Sequence, residues 1–293
     1  MSILPDSLVS TEWLQNHLGT DGLVVVDIRG FVKSTAAGDS GQQVAEYLPA
    51  TAEYAESHIP GAVFVDWTRD IIDPDDPVPA QLAPPDRFQA AMEERGIGDA
   101  TDVVVVDQTG GHFASRLWWA LVYYGHENVA VLDGGFNKWA AENRPLTQIV
   151  PTPGPQTYTP RVPDAGKRAT WEDIGKAASD GSLRIVDARN RDTFSGKIWR
   201  GQRRGHVPAA INLPSEELFN PDGTWKSPDQ LTEIFAEAGI DPDVKTAAYC
   251  NGGVTATSVL FGLHRTGNEN WTNYDGSWNE WSARPDLPVE TGT

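Results

Sequence analysis

A chain that runs through the same series of motifs twice, in the same order and at nearly the same spacing, is constrained to fold as two copies of one unit. LVVVDIR (Leu23 to Arg29), HIPGA (His58 to Ala62), VVVVDQTGG (Val103 to Gly111) and VLDGGFNKW (Val131 to Trp139) make up the first series. LRIVDAR (Leu183 to Arg189), HVPAA (His206 to Ala210), TAAYCNGG (Thr246 to Gly253) and NYDGSWNEW (Asn273 to Trp281) answer them in order. Asp133 and Asp275 are 142 residues apart, as are Trp139 and Trp281, and Asp107 and Cys250 are 143 apart, so the halves keep register. The length of 293 residues is too great for one ordinary core and suits two. Between the halves lies a proline-rich stretch with little apolar periodicity, which reads as an extended linker. The expected organisation is a first domain at 1–143, a linker at 144–168 and a second domain at 169–293.

Within each half the apolar runs VVV, VVVV, RIV and TAAY are short and bounded by Asp or Gly, as strands buried on both faces of a parallel sheet should be. After Cys250, residues Ala256, Val259, Leu260 and Leu263 fall at helical spacing, with Gly267 placed to end the helix. Ala114, Leu117, Trp118 and Leu121 ahead of Gly125 repeat this pattern. Strands alternating with helices predict α/β domains, each a mostly parallel sheet flanked by helices, with ligands bound beyond the carboxyl ends of the strands.

Composition narrows the function. A hydrophobic fraction of 39% with 22% charged residues is that of a globular protein, and no apolar run approaches the roughly 18 residues of a membrane helix. The first residues show no early Lys or Arg and no apolar core of a signal peptide, so a cytoplasmic location is expected. A net charge of -18 opposes binding to nucleic acid and to anionic membranes, and it also disfavours small anions. Any anion site must therefore come from a local cluster of cations or from backbone N–H groups. The single cysteine excludes an intramolecular disulfide, and six dispersed histidines give no metal-ligand spacing. No metal, nucleotide or flavin is implied.

Cys250 closes a predicted buried strand and is followed by Asn251, Gly252, Gly253, Val254 and Thr255, then by a helix. Paired glycines let successive N–H groups converge on one point, and the helix N-terminus adds unpaired donors and partial positive charge. Such a setting favours a reactive thiolate at neutral pH without a paired histidine. A lone cysteine is more often a small buried hydrophobe. Strand end, double glycine and following helix together reverse that reading.

On VDIR with HIPGA in the first half, and on VDAR, RRGHVPAAINLP, YCNGGVTA and YDGSW in the second, the chain resembles the tandem-domain rhodanese family of thiosulfate and 3-mercaptopyruvate sulfurtransferases. The resemblance covers nearly the whole chain and implies two tandem rhodanese-like domains. It implies that Cys250 becomes a persulfide and faces a cleft between the domains. Asp107 stands at the cysteine position of the first domain, which makes that domain non-catalytic and one wall of the cleft. A small anionic donor and a cyanide or thiol acceptor, a thioredoxin-like protein included, are the implied partners. The loop Asn251-Gly252-Gly253 matches neither the cations usual in thiosulfate-preferring members nor the Gly-Ser-Gly of the mercaptopyruvate enzymes. A second anion-binding Arg of the family would fall at Thr193, and a His of the mercaptopyruvate enzymes near Ala80.

Candidates to hold the donor anion are Arg189, Arg191, Lys197, Arg200, Arg203 and Arg204; the last five crowd fourteen residues of an otherwise acidic chain. A basic surface loop paired with acidic neighbours would look the same. His58 and His206, present in both copies, suit a fold role, as do Asp27 with Arg29 and Asp187 with Arg189. Trp119, Trp139, Trp278 and Trp281 read as packing aromatics. Two other readings compete: a non-enzymatic persulfide carrier or partner-binding module, and a cysteine phosphatase. The phosphatase needs an Arg six residues beyond the cysteine, where this chain has Ala256.

Cys250→Ser changes one atom and leaves an oxygen that accepts sulfane sulfur poorly, so the variant should fold normally and lose sulfur transfer. Steady-state turnover alongside thermal unfolding checks both halves of that expectation.

Overall fold

The protein was described from a computed structural model covering residues 2–161 and 165–292; residues 162–164 of the expected linker lie outside the described residues. The short β-branched runs form the strands. In the first half these are β1 (Leu8–Val9), β2 (Leu23–Asp27), β3 (Gly30–Ala36), β4 (Gln43–Pro49), β5 (Val63–Phe64), β6 (Asp102–Val106) and β7 (Val129–Leu132). In the second they are β8 (Arg168–Ala169), β9 (Arg184–Asp187), β10 (Ile211–Asn212), β11 (Thr246–Tyr249) and β12 (Trp271–Tyr274).

Five strands of the first half make a parallel sheet in the order β1-β7-β6-β2-β5, and the second half repeats it as β8-β12-β11-β9-β10. The expected α/β architecture of two parallel sheets flanked by helices is therefore the one observed. Strand alternation divides the interior. Val104 and Val106 face a core with Leu14 and Trp139, and Ala247 and Tyr249 face its counterpart with Ile174 and Trp281. Val103, Val105, Val186 and Ala248 turn the other way and join one apolar core that spans both domains.

At the centre of that shared core the helices His112–Tyr123 and Ala256–Arg265, each following the loop at the end of its domain's middle strand, pack on one another. Trp118 meets Phe261 edge-on at 4.9 Å and Trp271 at 5.4 Å. Both helices stop where the glycines foretold, with Gly125 at φ +79° and Gly267 at φ +80°. The four tryptophans expected to pack, Trp119, Trp139, Trp278 and Trp281, are fully buried.

The domains also exchange backbone contacts reciprocally. Leu82 N donates to Asp275 Oδ2 at 2.9 Å, and Trp225 N, 143 residues further on, donates to Asp133 Oδ1 at 2.9 Å. A loop of each domain is thus fastened under the aspartate of the other. Residues 144–161 run against the first domain without helix or strand. Thr147 and His58 exchange backbone bonds of 2.9 Å, Arg161 N donates to Tyr124 O at 3.0 Å, and Tyr158 is buried.

The repeat fails in one place. The first half has the antiparallel hairpin β3–β4 between VDIR and HIPGA, and the second half has no strand pair there. Sequence reading did not foresee it.

Asp107, buried at the end of β6, accepts from Thr109 N at 2.9 Å, Phe113 N at 2.7 Å and Ala114 N at 3.0 Å, capping its helix. Asp107→Ala strands these donors and should lower stability by about 1–3 kcal/mol, read from the urea midpoint.

Candidate active site

Cys250 follows β11, the middle strand of the second sheet, and its side chain is only 3% exposed. The loop is held on its outer side by the segment that begins the helix Ser277–Ala283. Ser277 Oγ accepts from Cys250 N at 3.1 Å, Trp278 N donates to Cys250 O at 3.0 Å, and Asn279 N donates to Asn251 O at 2.9 Å. Ser277 adopts φ +52°, a left-handed conformation rare outside glycine, to make this hold. YDGSW, read from sequence as a register landmark, is therefore the buttress of the cysteine.

The backbone donors of the loop itself are not used up by the fold. Among the described residues, the N–H groups of Asn251, Gly252, Gly253, Val254 and Thr255 have no acceptor within the protein. In the first domain the Asp107 carboxylate fills the cysteine position, accepting from Thr109 N in the loop and from Phe113 N and Ala114 N in the first turn of the helix. Of the two glycines only Gly253 has positive φ, at +72°, and a Cβ there would lie 2.7 Å from both Asp275 O and Asp275 Oδ1. Gly252 serves close approach instead: a methyl on it would lie 3.1 Å from Asn279 Nδ2, and 3.5 Å from Ala80 Cβ and Tyr47 Oη.

Behind the loop stands Arg116, from the first domain's helix. It pairs with Asp275 and donates to Gly253 O at 3.1 Å and to Ala80 O at 2.8 Å. Asp275 Oδ2 also meets Arg168 at 3.0 Å. A peptide's C=O and N–H point in opposite directions, so holding Gly253 O from behind turns Val254 N–H toward the ligand side. Arg116 carried one legible sign, a lone charge in the apolar helix FASRLWWAL, where a buried cation demands a partner.

The sequence-derived cations disperse. Arg191 pairs with Glu217 at 2.5 Å and Lys197 with Asp192 at 3.1 Å, both on the surface. Arg203 donates to the carbonyls of Trp281, Ser282, Arg284 and Leu287, and Arg204 is exposed. Arg189 is buried and bonded to Asp187 and to Gly205 O, with Nη1 left without a partner. Arg200 differs from all of these. Among the described residues it has no acidic partner, burial draws its pKa below the ordinary value, and the Tyr47 and Cys250 side chains act on its charge. Thr193 is buried on the helix Arg191–Phe194. Ala80, near which the resemblance would put a His, lies against Gly252 of the cysteine loop.

The duplicated residues are elsewhere engaged. The ring nitrogens of His58 lie 2.7 Å from Tyr54 O and 3.0 Å from Ile149 O, and His206 Nδ1 lies 2.8 Å from Phe194 O. Arg29 Nε donates to both Asp27 oxygens, at 3.0 and 2.9 Å, as Arg189 does to Asp187.

Fold and site define an α/β protein with a cysteine set in a strand-to-helix loop between two like domains. The rhodanese-like domain matches residues 10–142 and 170–284, and the chain belongs to that family, with two tandem copies. It is 35% identical to a "Putative thiosulfate sulfurtransferase" of Mycolicibacterium smegmatis, over 98% of this chain and 99% of the relative. It is 34% identical to the 3-mercaptopyruvate sulfurtransferase of Escherichia coli, over 96% and 97% respectively. The crystal structure of SseA from Escherichia coli, described as a 3-mercaptopyruvate sulfotransferase, superposes with a TM-score of 0.79 at 30% identity, covering 93% of this chain and 98% of that one. No helix among the described residues is long and apolar enough to cross a membrane.

Gly253→Val places a β-branched side chain at φ +72° and against Asp275, so loop geometry must give way. The variant should lose at least about tenfold in sulfur-transfer kcat/KM, beyond any loss of folded protein measured by circular dichroism.

Proposed function

We propose that this protein is a sulfurtransferase that carries sulfane sulfur on Cys250, taking it from thiosulfate or 3-mercaptopyruvate and giving it to cyanide or a thiol. The observation that carries the reading is the row of unpartnered N–H groups from Asn251 to Thr255 around a cysteine at a helix N-terminus. These groups are placed to stabilise negative charge on the sulfur and on an attached sulfane sulfur.

The Cys250 thiolate attacks the outer sulfur of the donor. With thiosulfate the S–S bond breaks and sulfite leaves with the electron pair. With 3-mercaptopyruvate the C–S bond breaks and the enolate of pyruvate leaves, to be protonated at carbon. Either route gives a Cys250 persulfide, from which cyanide takes the outer sulfur as thiocyanate or a thiolate takes it as a new persulfide, regenerating the Cys250 thiolate. Arg200 is our candidate to hold the donor's anionic end, since among the described residues its guanidinium has no carboxylate partner and it lies within electrostatic reach of Tyr47 and Cys250. Arg189 Nη1 is a second donor close to Arg200.

The near-complete burial of Cys250 favours small acceptors over a thioredoxin-like protein. A cysteine that cycles between thiolate and persulfide suits a reducing compartment, and we place the reaction in the cytoplasm. Ala256 at the sixth position beyond Cys250 leaves no arginine to clamp a phosphate, which argues against the phosphatase reading.

Mass spectrometry after incubation with excess donor should show a gain of one sulfur atom, lost on adding cyanide, and side-by-side kinetics will rank the two donors. Persulfide formation without catalytic turnover with any small acceptor would instead support a carrier. Arg200→Met should raise the KM of the preferred donor by about 10- to 100-fold, the worth of one charge-assisted hydrogen bond.

A further inference from the structure

The hairpin that breaks the repeat is built into the Cys250 site at three points. At its base Gln108, next to Asp107, grips Gly30 by both ends of its amide: Gly30 N donates to Oε1 at 3.3 Å, and Nε2 donates to Gly30 O. At its tip Gln43 N donates to Trp199 O at 2.8 Å and Trp199 N donates to Gly41 O at 3.0 Å, which ties the hairpin to the residue before Arg200. Between base and tip, Tyr47 on β4 brings its hydroxyl to the cysteine loop, close to Gly252 and Asn279. Trp67 steadies the Tyr47 ring edge-on at 5.4 Å and donates from Nε1 to Leu48 O at 3.1 Å.

The hydrogen bonding of Tyr47 is incomplete in an informative way. Asn279 Nδ2 donates to Tyr47 Oη at 3.4 Å, so the hydroxyl oxygen is an acceptor there. Among the described residues no protein atom accepts the phenolic hydrogen. That hydrogen is free for a ligand, beside a cation without a carboxylate and a loop of unpartnered N–H groups.

Resting on the sulfurtransferase reading above, we propose that Tyr47 of the non-catalytic domain is a donor-binding, specificity-determining residue. Its hydroxyl donates a hydrogen bond to an oxygen of the donor's sulfonate or carboxylate while the sulfur end faces Cys250. Arg200 supplies the charge and Tyr47 the direction, so donors are ranked by where their oxygens lie relative to their sulfur. The hairpin is the means by which the first domain, lacking a nucleophile, contributes to choice of substrate.

The test is Tyr47→Phe, which keeps the ring against Trp67 and removes only the hydroxyl. The KM of the preferred donor should rise about tenfold or more, with kcat within about threefold of wild type. The melting temperature should be unchanged, and discharge of preformed persulfide to cyanide should keep its wild-type rate, because the donor has then left. Wild-type KM for both thiosulfate and 3-mercaptopyruvate in this variant would overturn the inference, as would an equal slowing of sulfur uptake and discharge. Wild-type protein that gains no sulfur from either donor would overturn the sulfurtransferase reading, and this proposal with it.

Discussion

Arg116 and Asp275 come from different domains, and both side chains are almost wholly buried where they meet. In that setting neither charge has water to fall back on, so each requires the other, and breaking such a pair leaves an ion whose desolvation is uncompensated by about 3–5 kcal/mol. The pair does more than join the domains. Arg116 also grips Gly253 O and Ala80 O, and Asp275 also receives Leu82 N and Arg168. Cysteine loop, covering segment and both domains are thereby set at fixed distances around one salt bridge. Gly253 belongs to the same arrangement, because only a residue without Cβ lets Asp275 come so close.

The two copies of the loop give the same geometry two uses. In the first, the Asp107 carboxylate accepts from one N–H of the loop and from two in the first turn of the helix, and the side chain becomes a cap. In the second, the side chain at that position is a thiol, which accepts hydrogen bonds weakly, and the N–H groups stay available. One difference in side chain thus gives the two loops different hydrogen bonding within the same fold. The first copy then turns its loop to another purpose, since Gln108 anchors the hairpin that reaches the second copy.

Charge follows a similar division between what is internal and what is free. A chain of net charge -18 reverses sign locally between Arg191 and Arg204, yet most of those cations answer carboxylates or carbonyls of the protein itself. A cation already paired offers little to a ligand, because binding must first break the existing pair. Arg200 is the half-buried member of the segment whose side chain has neither a carboxylate nor a hydrogen bond among the described residues, and its backbone is held by Trp278 Nε1, which donates to Arg200 O at 3.1 Å, and by the hairpin at Trp199.

The duplication, the α/β class, the two helices after the loops and the position of Cys250 were legible in the sequence, because each rests on local periodicity or on a glycine placed at a turn. Val103 to Val106 can only be a buried strand, and Gly125 and Gly267 end their helices wherever the domains lie. Which cation stays half-buried and unbonded was not legible, since Arg200 and Arg203 look alike in sequence. Four carbonyls around residues 281–287 occupy one and leave the other. Tyr47 gave no sign at all: it lies more than two hundred residues from Cys250, and only packing of the hairpin across the interface brings it there. Sequence by itself determined where Cys250 sits and the unit that carries it, because these depend on neighbours along the chain. Tertiary structure alone decided what lines the cysteine loop, because Arg116, Tyr47 and the segment of Arg200 come to it from separate elements through contacts far apart in sequence.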